Sequence, residues 1–175
     1  MSHRNPLQFF PTPSAAVPHI LDAAGPLKGL RVLEPSAGTG ALALAAKDFG
    51  ADVLAIELDW QRAMHLKQCG LEVWRADFLA CNFKPEQRFA RVLMNPPFNP
   101  CLDVQHVLHA WDCALAEGGR LVAVITPRFQ RSPSFQAARL RRLVDKHGAV
   151  TKLPPNRTPG ATRDTCLVVL DAPTF

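Results

Sequence analysis

Two short runs hold the residue types from which chemistry can be built. The first is MNPPFN (94–99). Pro96 and Pro97 fix the backbone and remove two N–H donors, which leaves carbonyl oxygens beside the side-chain carbonyl of Asn95. Two oxygens held this way can accept both hydrogens of a planar –NH2 group. Such an amine is a weak nucleophile because its lone pair is delocalised, and two accepted hydrogen bonds favour a more tetrahedral nitrogen. Phe98 offers a flat face on which a planar target can stack. The alternative for Asn-Pro alone is an ordinary turn leaving a strand; both prolines and an aromatic together weigh against it.

The second run is LEPSAGTG (33–40). Gly38 and Gly40 permit positive φ and close backbone approach, and a helix beginning near Ala41 turns free N–H groups toward an anionic group. Glu57 follows at the end of a second strand, where a carboxylate suits a ribose diol. Leu42-Ala43 stand where a dinucleotide fingerprint would have its third glycine, so the pattern points to a nucleoside cofactor without pyrophosphate. A purely structural strand–helix turn is the alternative. Asp77, in RADF (75–78), can accept from an exocyclic amine, with Phe78 as an apolar wall; the alternative is a helix N-cap or surface aspartate.

Elements that must position these residues follow from apolar periodicity. Strands are expected at RVLEP (31–35), ADVLAIELD (51–59), LEVWRADF (71–78), within RFARVLMNPPF (88–98), at RLVAVITP (120–127), AVTKL (149–153) and TCLVVLD (165–171). Helical patterns fall at 41–50, 60–70, 103–117 and 134–148. This alternation predicts an α/β fold: a Rossmann-like doubly wound sheet of about seven strands, mostly parallel, with an antiparallel final strand. No repeat or linker divides the chain, so 1–175 is expected to be one domain.

Of 175 residues, 47% are hydrophobic and 20% charged, which excludes wholesale disorder. No apolar run is long enough for a membrane span, and no signal sequence opens the chain. Five cysteines without CxxC spacing argue against a disulfide framework or zinc site, so a cytoplasmic location and no metal are expected. The net charge of +5 is unevenly spread. Residues 1–119 carry ten Lys and Arg against twelve Asp and Glu, whereas 120–165 carry ten against two. A phosphate backbone would be drawn to such a segment; a solvated basic helix face with surface loops is the alternative.

On these motifs the chain resembles the class I S-adenosylmethionine-dependent methyltransferases, specifically the amino-methyltransferases of the N6-adenine type. FFPTP (9–13) is similar to their cofactor-closing N-terminal segment (1–14 here), and the motif order matches the gamma-type DNA enzymes. GATRDTCLVVLD also looks like their final strand pair. The resemblance implies S-adenosylmethionine as cofactor. It implies a cofactor site of Phe10, Thr12, Pro13, Glu34, Ser36, Ala37, Gly38, Gly40, Glu57, Leu58, Asp77, Phe78 and Asn95. It also implies a catalytic set of Asn95, Pro96, Pro97 and Phe98. No target-recognition region of the usual size is expected within these residues, which leaves a separate specificity partner as one source of target selection.

The expected substrate is nucleic acid, DNA ahead of RNA, with adenine N6 as the acceptor. Alternatives are an RNA adenine or guanine amine, or a protein glutamine; Phe98 stands where glutamine enzymes usually have Tyr. A non-catalytic binding module and a nicotinamide dehydrogenase fit the motifs less well. Asp103 and His106, one turn apart, could face the target, or respectively cap a helix and lie on the surface. Arg128, Arg131, Arg157 and Arg163 lie in loops expected at the ligand-binding edge and could hold phosphates. Trp60, Trp74 and Trp111 are expected in the core, and the cysteines as small buried hydrophobes.

Overall fold

The computed structural model describes residues 11–99, 101–154 and 164–174. Within them, seven strands form one sheet in the order β3-β2-β1-β4-β5-β7-β6. The strands are β1 (Arg31–Glu34), β2 (Asp52–Ile56), β3 (Glu72–Trp74), β4 (Phe89–Met94), β5 (Leu115–Ile125), β6 (Gly148–Lys152) and β7 (Cys166–Asp171). Neighbours from β3 to β5 run parallel, and β7 is antiparallel to both β5 and β6. This is the Rossmann-like sheet expected from the sequence, with its antiparallel final strand.

The central strands carry apolar runs, Val32-Leu33, Val53–Ile56 and Val92–Met94, because both faces are covered. On one face, α1 (Ala16–Ala24), α2 (Ala41–Asp48) and α3 (Trp60–Gln68) bury Ile20, Leu42, Ala46 and Leu66 against Val32, Val53 and Leu93. On the other, α4 (Leu102–His109) and α5 (Phe135–His147) bury Val104, Val107, Leu108 and Leu140 against Leu33, Leu54 and Phe89. The helix α1 adds to the elements predicted from spacing. Its terminal carbonyls are claimed by two arginines: Arg91 Nε donates to Ala24 O (2.8 Å) and Arg120 Nη1 to Ala23 O (3.0 Å).

Several boundaries differ from expectation. The helix predicted over 103–117 ends at His109, widens into a π-turn over Ala110–Ala114, and gives way to β5 at Leu115. Leu115 pairs with Phe89 of β4, and this tertiary pairing overrides the helix propensity of the Ala-Leu-Ala run. The third strand is shorter than predicted, because Asp77 caps a 3₁₀ turn over Phe78–Ala80.

Two of the tryptophans are not core. Trp60 is 58% exposed at the start of α3, and Trp74 is 39% exposed, stacked on Phe83; Trp111 is half-buried against the core. Of the cysteines only Cys166 is buried; the other four are half-buried. Burial pushes the Cys113 and Cys166 thiols up to about 11, so both remain protonated at neutral pH.

Candidate functional site

The order of the sheet reverses between β1 and β4, which are adjacent and parallel. In an open α/β sheet that reversal opens a crevice at the carboxyl ends of the strands. Both motifs leave from there: the Gly-rich turn follows β1 and the Asn95–Asn99 loop follows β4. Continuous apolar pairing thus brings together two segments some sixty residues apart.

A cleft of about 210 Å³ occupies the crevice. Its lining includes Ser36 and Gly38 from the first loop, Glu57 and Leu58 after β2, Asp77 and Phe78 after β3, and Asn95, Pro96 and Pro97 after β4. His106 closes it from α4. Glu57 is buried, and each of its oxygens is held. Oε2 accepts from Gly38 N (2.7 Å), while Oε1 accepts from Asp59 N (2.7 Å) and Arg62 Nη2 (2.9 Å). Positive φ at Gly38 (56°) aims its N–H at that carboxylate, so the Gly-rich turn and the acid after β2 form one unit. Asp77 is the N-cap that sequence offered as one of its readings. Its carboxylate caps the 3₁₀ turn through Leu79 N (3.0 Å) and also lines the cleft.

Asn95 is buried, and its Nδ2 donates to Thr12 Oγ1 (3.2 Å), which ties the N-terminal segment to the loop after β4. Pro13 O accepts from Ala16 N and leads the chain into α1. His106 is 6% exposed rather than on the surface. Its Nδ1 lies 3.2 Å from Ser36 Oγ, and its ring tilts against Phe78. Burial, only partly offset by Asp77, lowers its pKa to about 4, so the imidazole is neutral at physiological pH.

Five expected cofactor residues among those described do not line the cleft: Thr12 and Pro13, in the N-terminal segment, and Glu34, Ala37 and Gly40. Glu34 is 2% exposed and accepts from Ala43 N (2.6 Å) inside α2. Burial, with Glu57 nearby, raises its pKa to about 8. Ala37 is packed in the core beneath the loop, where its N–H donates to Ile56 O. Gly40 has φ 87°, and a Cβ there would lie 2.4 Å from Leu66 Cδ2, so the position is small because α2 and α3 meet there.

A second cleft, of about 590 Å³, adjoins the first, and Asn99 lines both. Phe98, Asp103, Arg128 and Arg131 line it, together with Thr126 and Phe129. Phe98 is only 9% exposed and packs into the core cluster of Leu93 and Val124, so it borders the second cleft, not the first. Phe10, Arg157 and Arg163 lie outside the described residues.

Sequence reasoning missed Arg62, Asn99 and Thr126. Asp59, the N-cap of α3, sits three residues before Arg62, and that spacing was a usable signal. Asn99 stood inside the MNPPFN run itself. Nothing in the sequence pointed to Thr126. Arg141 Nη1 donates to Phe129 O and to Ser132 O (2.9 Å), fixing the loop that bears Arg128 and Arg131. Among the described residues no group of three His, Cys, Asp or Glu is arranged to hold a metal, and no helix is long and apolar enough to cross a membrane.

Neither a family model nor a curated relative matches the sequence. Solved structures do match. A modification subunit assigned to a type I restriction enzyme of Vibrio vulnificus superposes with a TM-score of 0.77 at 18% identity, over 98% of this chain and 46% of that one. This chain therefore spans about half the length of that subunit. A protein assigned as an RNA methyltransferase of Pyrococcus horikoshii superposes with a TM-score of 0.70 at 22% identity, over 100% of this chain and 93% of that one. A geranyl diphosphate methyltransferase in complex with SAM gives 0.66 at 19% identity, over 90% and 84%. With this sheet order, these helical layers and these superpositions, the chain has the Rossmann-like fold of the methyltransferases.

Proposed function

We propose that this protein transfers a methyl group from S-adenosylmethionine to an exocyclic amino nitrogen, adenine N6 in DNA foremost. The observation that carries the reading is the placement of the Asn95–Asn99 loop between two clefts. One has the lining of a nucleoside site; the other bears two arginines.

The first cleft fits the cofactor. Ile56, Leu58, Phe78 and Leu79 give it apolar walls for a purine, with carboxylates at Glu57 for a diol and Asp77 for an exocyclic amine. Arg62, the one Lys or Arg among its described lining residues, is bonded to Glu57, which disfavours a pyrophosphate. The neutral His106 adds no charge to repel a cation.

When bound, S-adenosylmethionine supplies an electrophilic methyl on a positive sulfonium. The chain's residues would do the rest by positioning. Thr12 takes the Nδ2 end of the Asn95 amide and so fixes Oδ1 as its accepting end. Oδ1 and the Pro96 carbonyl would accept the two hydrogens of the target amine and hold its lone pair toward the methyl. The proton released after transfer leaves to solvent. Arg128 and Arg131 would hold phosphates flanking the target, and Phe98 would edge its ring.

An RNA amine is the second reading. The RNA methyltransferase neighbour is matched over nearly its whole length, whereas the restriction subunit is matched over less than half. Supplying labelled S-adenosylmethionine with DNA, RNA and protein separates the acceptors. Label in DNA is expected; label in RNA alone selects the second reading, and label in protein alone overturns both. Asn95→Ala should lower transfer by about 10²–10³-fold, as loss of one aligned hydrogen-bonding group does. Unchanged transfer by that variant would refute the proposed chemistry.

A further inference from the structure

Asp103 carries a carboxyl group, yet it is 2% exposed. It stands in the first turn of α4, four residues beyond the loop that holds Asn95–Asn99. Its carboxyl group makes three hydrogen bonds and reaches across to the end of β5. Oδ1 accepts from Val104 N (2.9 Å); Oδ2 accepts from Thr126 N (3.1 Å) and Thr126 Oγ1 (2.8 Å). Thr126 is itself buried, at the carboxyl end of β5, and the 3₁₀ turn carrying Arg128 begins at the next residue.

A side chain that accepts at both oxygens suits this place. Three donors converge on two oxygens, and two of them are backbone N–H groups that cannot turn away. An asparagine would set an –NH2 against one of them. The far side of the same turn is fixed independently by Arg141, through Phe129 O and Ser132 O. The arginine-bearing turn is therefore pinned at both ends, and Asp103 is the pin that stands on the helix following the loop beside the cofactor cleft.

We infer that Asp103 is a positioning residue: through Thr126 it holds the amine-binding loop in register with the arginine-bearing turn, so that a target seated in the second cleft meets Asn95. A positioning role stands beside the two weighed for it from sequence, a substrate contact and a helix cap. Its importance for turnover rests on the methyl-transfer reading above; its mechanical role does not.

Amide hydrogen exchange and steady-state kinetics of Asp103→Asn, Thr126→Val and Thr126→Ser test this. In Asp103→Asn and Thr126→Val, exchange over 101–105 and 124–130 should quicken at least tenfold, while β1 and β2 stay protected. Thr126→Ser keeps both donors and should exchange like the wild type. The kcat of Asp103→Asn should fall at least tenfold, with KM for the cofactor within twofold of wild type. Combining Asp103→Asn with Thr126→Val should add nothing to the larger single loss. Unchanged exchange in Asp103→Asn overturns the inference, as does loosening of the whole sheet. Wild-type kcat despite local loosening also overturns it and leaves the methyl-transfer reading intact. Absence of any transfer by wild type refutes that reading, and exchange then decides the positioning role alone.

Discussion

Ser36 and His106, 70 residues apart in sequence, meet at 3.2 Å across the cleft, joining the turn after β1 to the helix after the Asn95–Asn99 loop. The imidazole that makes this contact is buried and neutral, with a pKa lowered to about 4. In the unfolded chain it would titrate near 6.5, so the unfolded state takes up the proton first as pH falls. Stability from this group is complete above 6.5, is lost between 6.5 and 4, and levels off below. The full difference is about 3 kcal/mol. Urea denaturation across that range should show the decline, and His106→Gln should flatten it.

Glu34 works in the opposite direction. Its folded pKa is raised to about 8 from 4.5, so the unfolded chain loses its proton first as pH rises. Stability should fall between 4.5 and 8, by roughly 3–5 kcal/mol, and stay level above. Glu34→Gln preserves an acceptor for Ala43 N and should abolish this slope. With His106 declining on the acid side, the two-residue account places maximum stability near pH 5–6, measurable in the same denaturation series.

Gly40→Ala should destabilise the fold by about 1–3 kcal/mol, because the left-handed backbone and the contact with Leu66 Cδ2 both oppose a Cβ. In a Leu66→Ala background the same change should cost less, since the obstructing methyl is gone. Equal costs in both backgrounds, by urea titration, would show that α2–α3 packing is not what the glycine serves.

Arg128→Ala and Arg131→Ala should each weaken polynucleotide binding and reduce the slope of log K against log salt by about 1, the signature of one lost phosphate contact. Cofactor affinity should be unchanged, since neither side chain lines the first cleft. A fluorescence titration at several salt concentrations measures both quantities.

Much of the architecture was legible because parallel strands covered on both faces are written as continuous apolar runs, as in Val32–Leu33 and Leu54–Ile56. The motifs after β1 and β4 were legible for the same reason: strand ends can be found, and adjacency of β1 and β4 follows from the fold class. What failed was tertiary. Leu115 lies in a helix-favouring run and becomes strand through pairing with Phe89. Trp60 has the composition of a core residue, but its place beside the N-cap Asp59 turns it outward. Gly40 suggested a ligand cradle from spacing, yet it answers to Leu66, in a helix whose proximity no local pattern records. Asp103 and Thr126 could not be paired from sequence, because their meeting depends on how α4 lies over β5.

The place of β7 between β5 and β6 has a consequence for how the chain comes off the ribosome. Among the described residues the outer edge of β5 pairs with residues 166–171, so when β5 and β6 have been synthesised β5 has β4 on its inner edge alone and β6 still lacks its partner. A long apolar edge then stands open until residue 171 has emerged, a template for pairing with another nascent chain. The five strands from β3 to β5 can associate earlier, and the closing step belongs to β7. Stalling before Asp171 should leave a nascent chain prone to aggregation, although both motif loops have already been made.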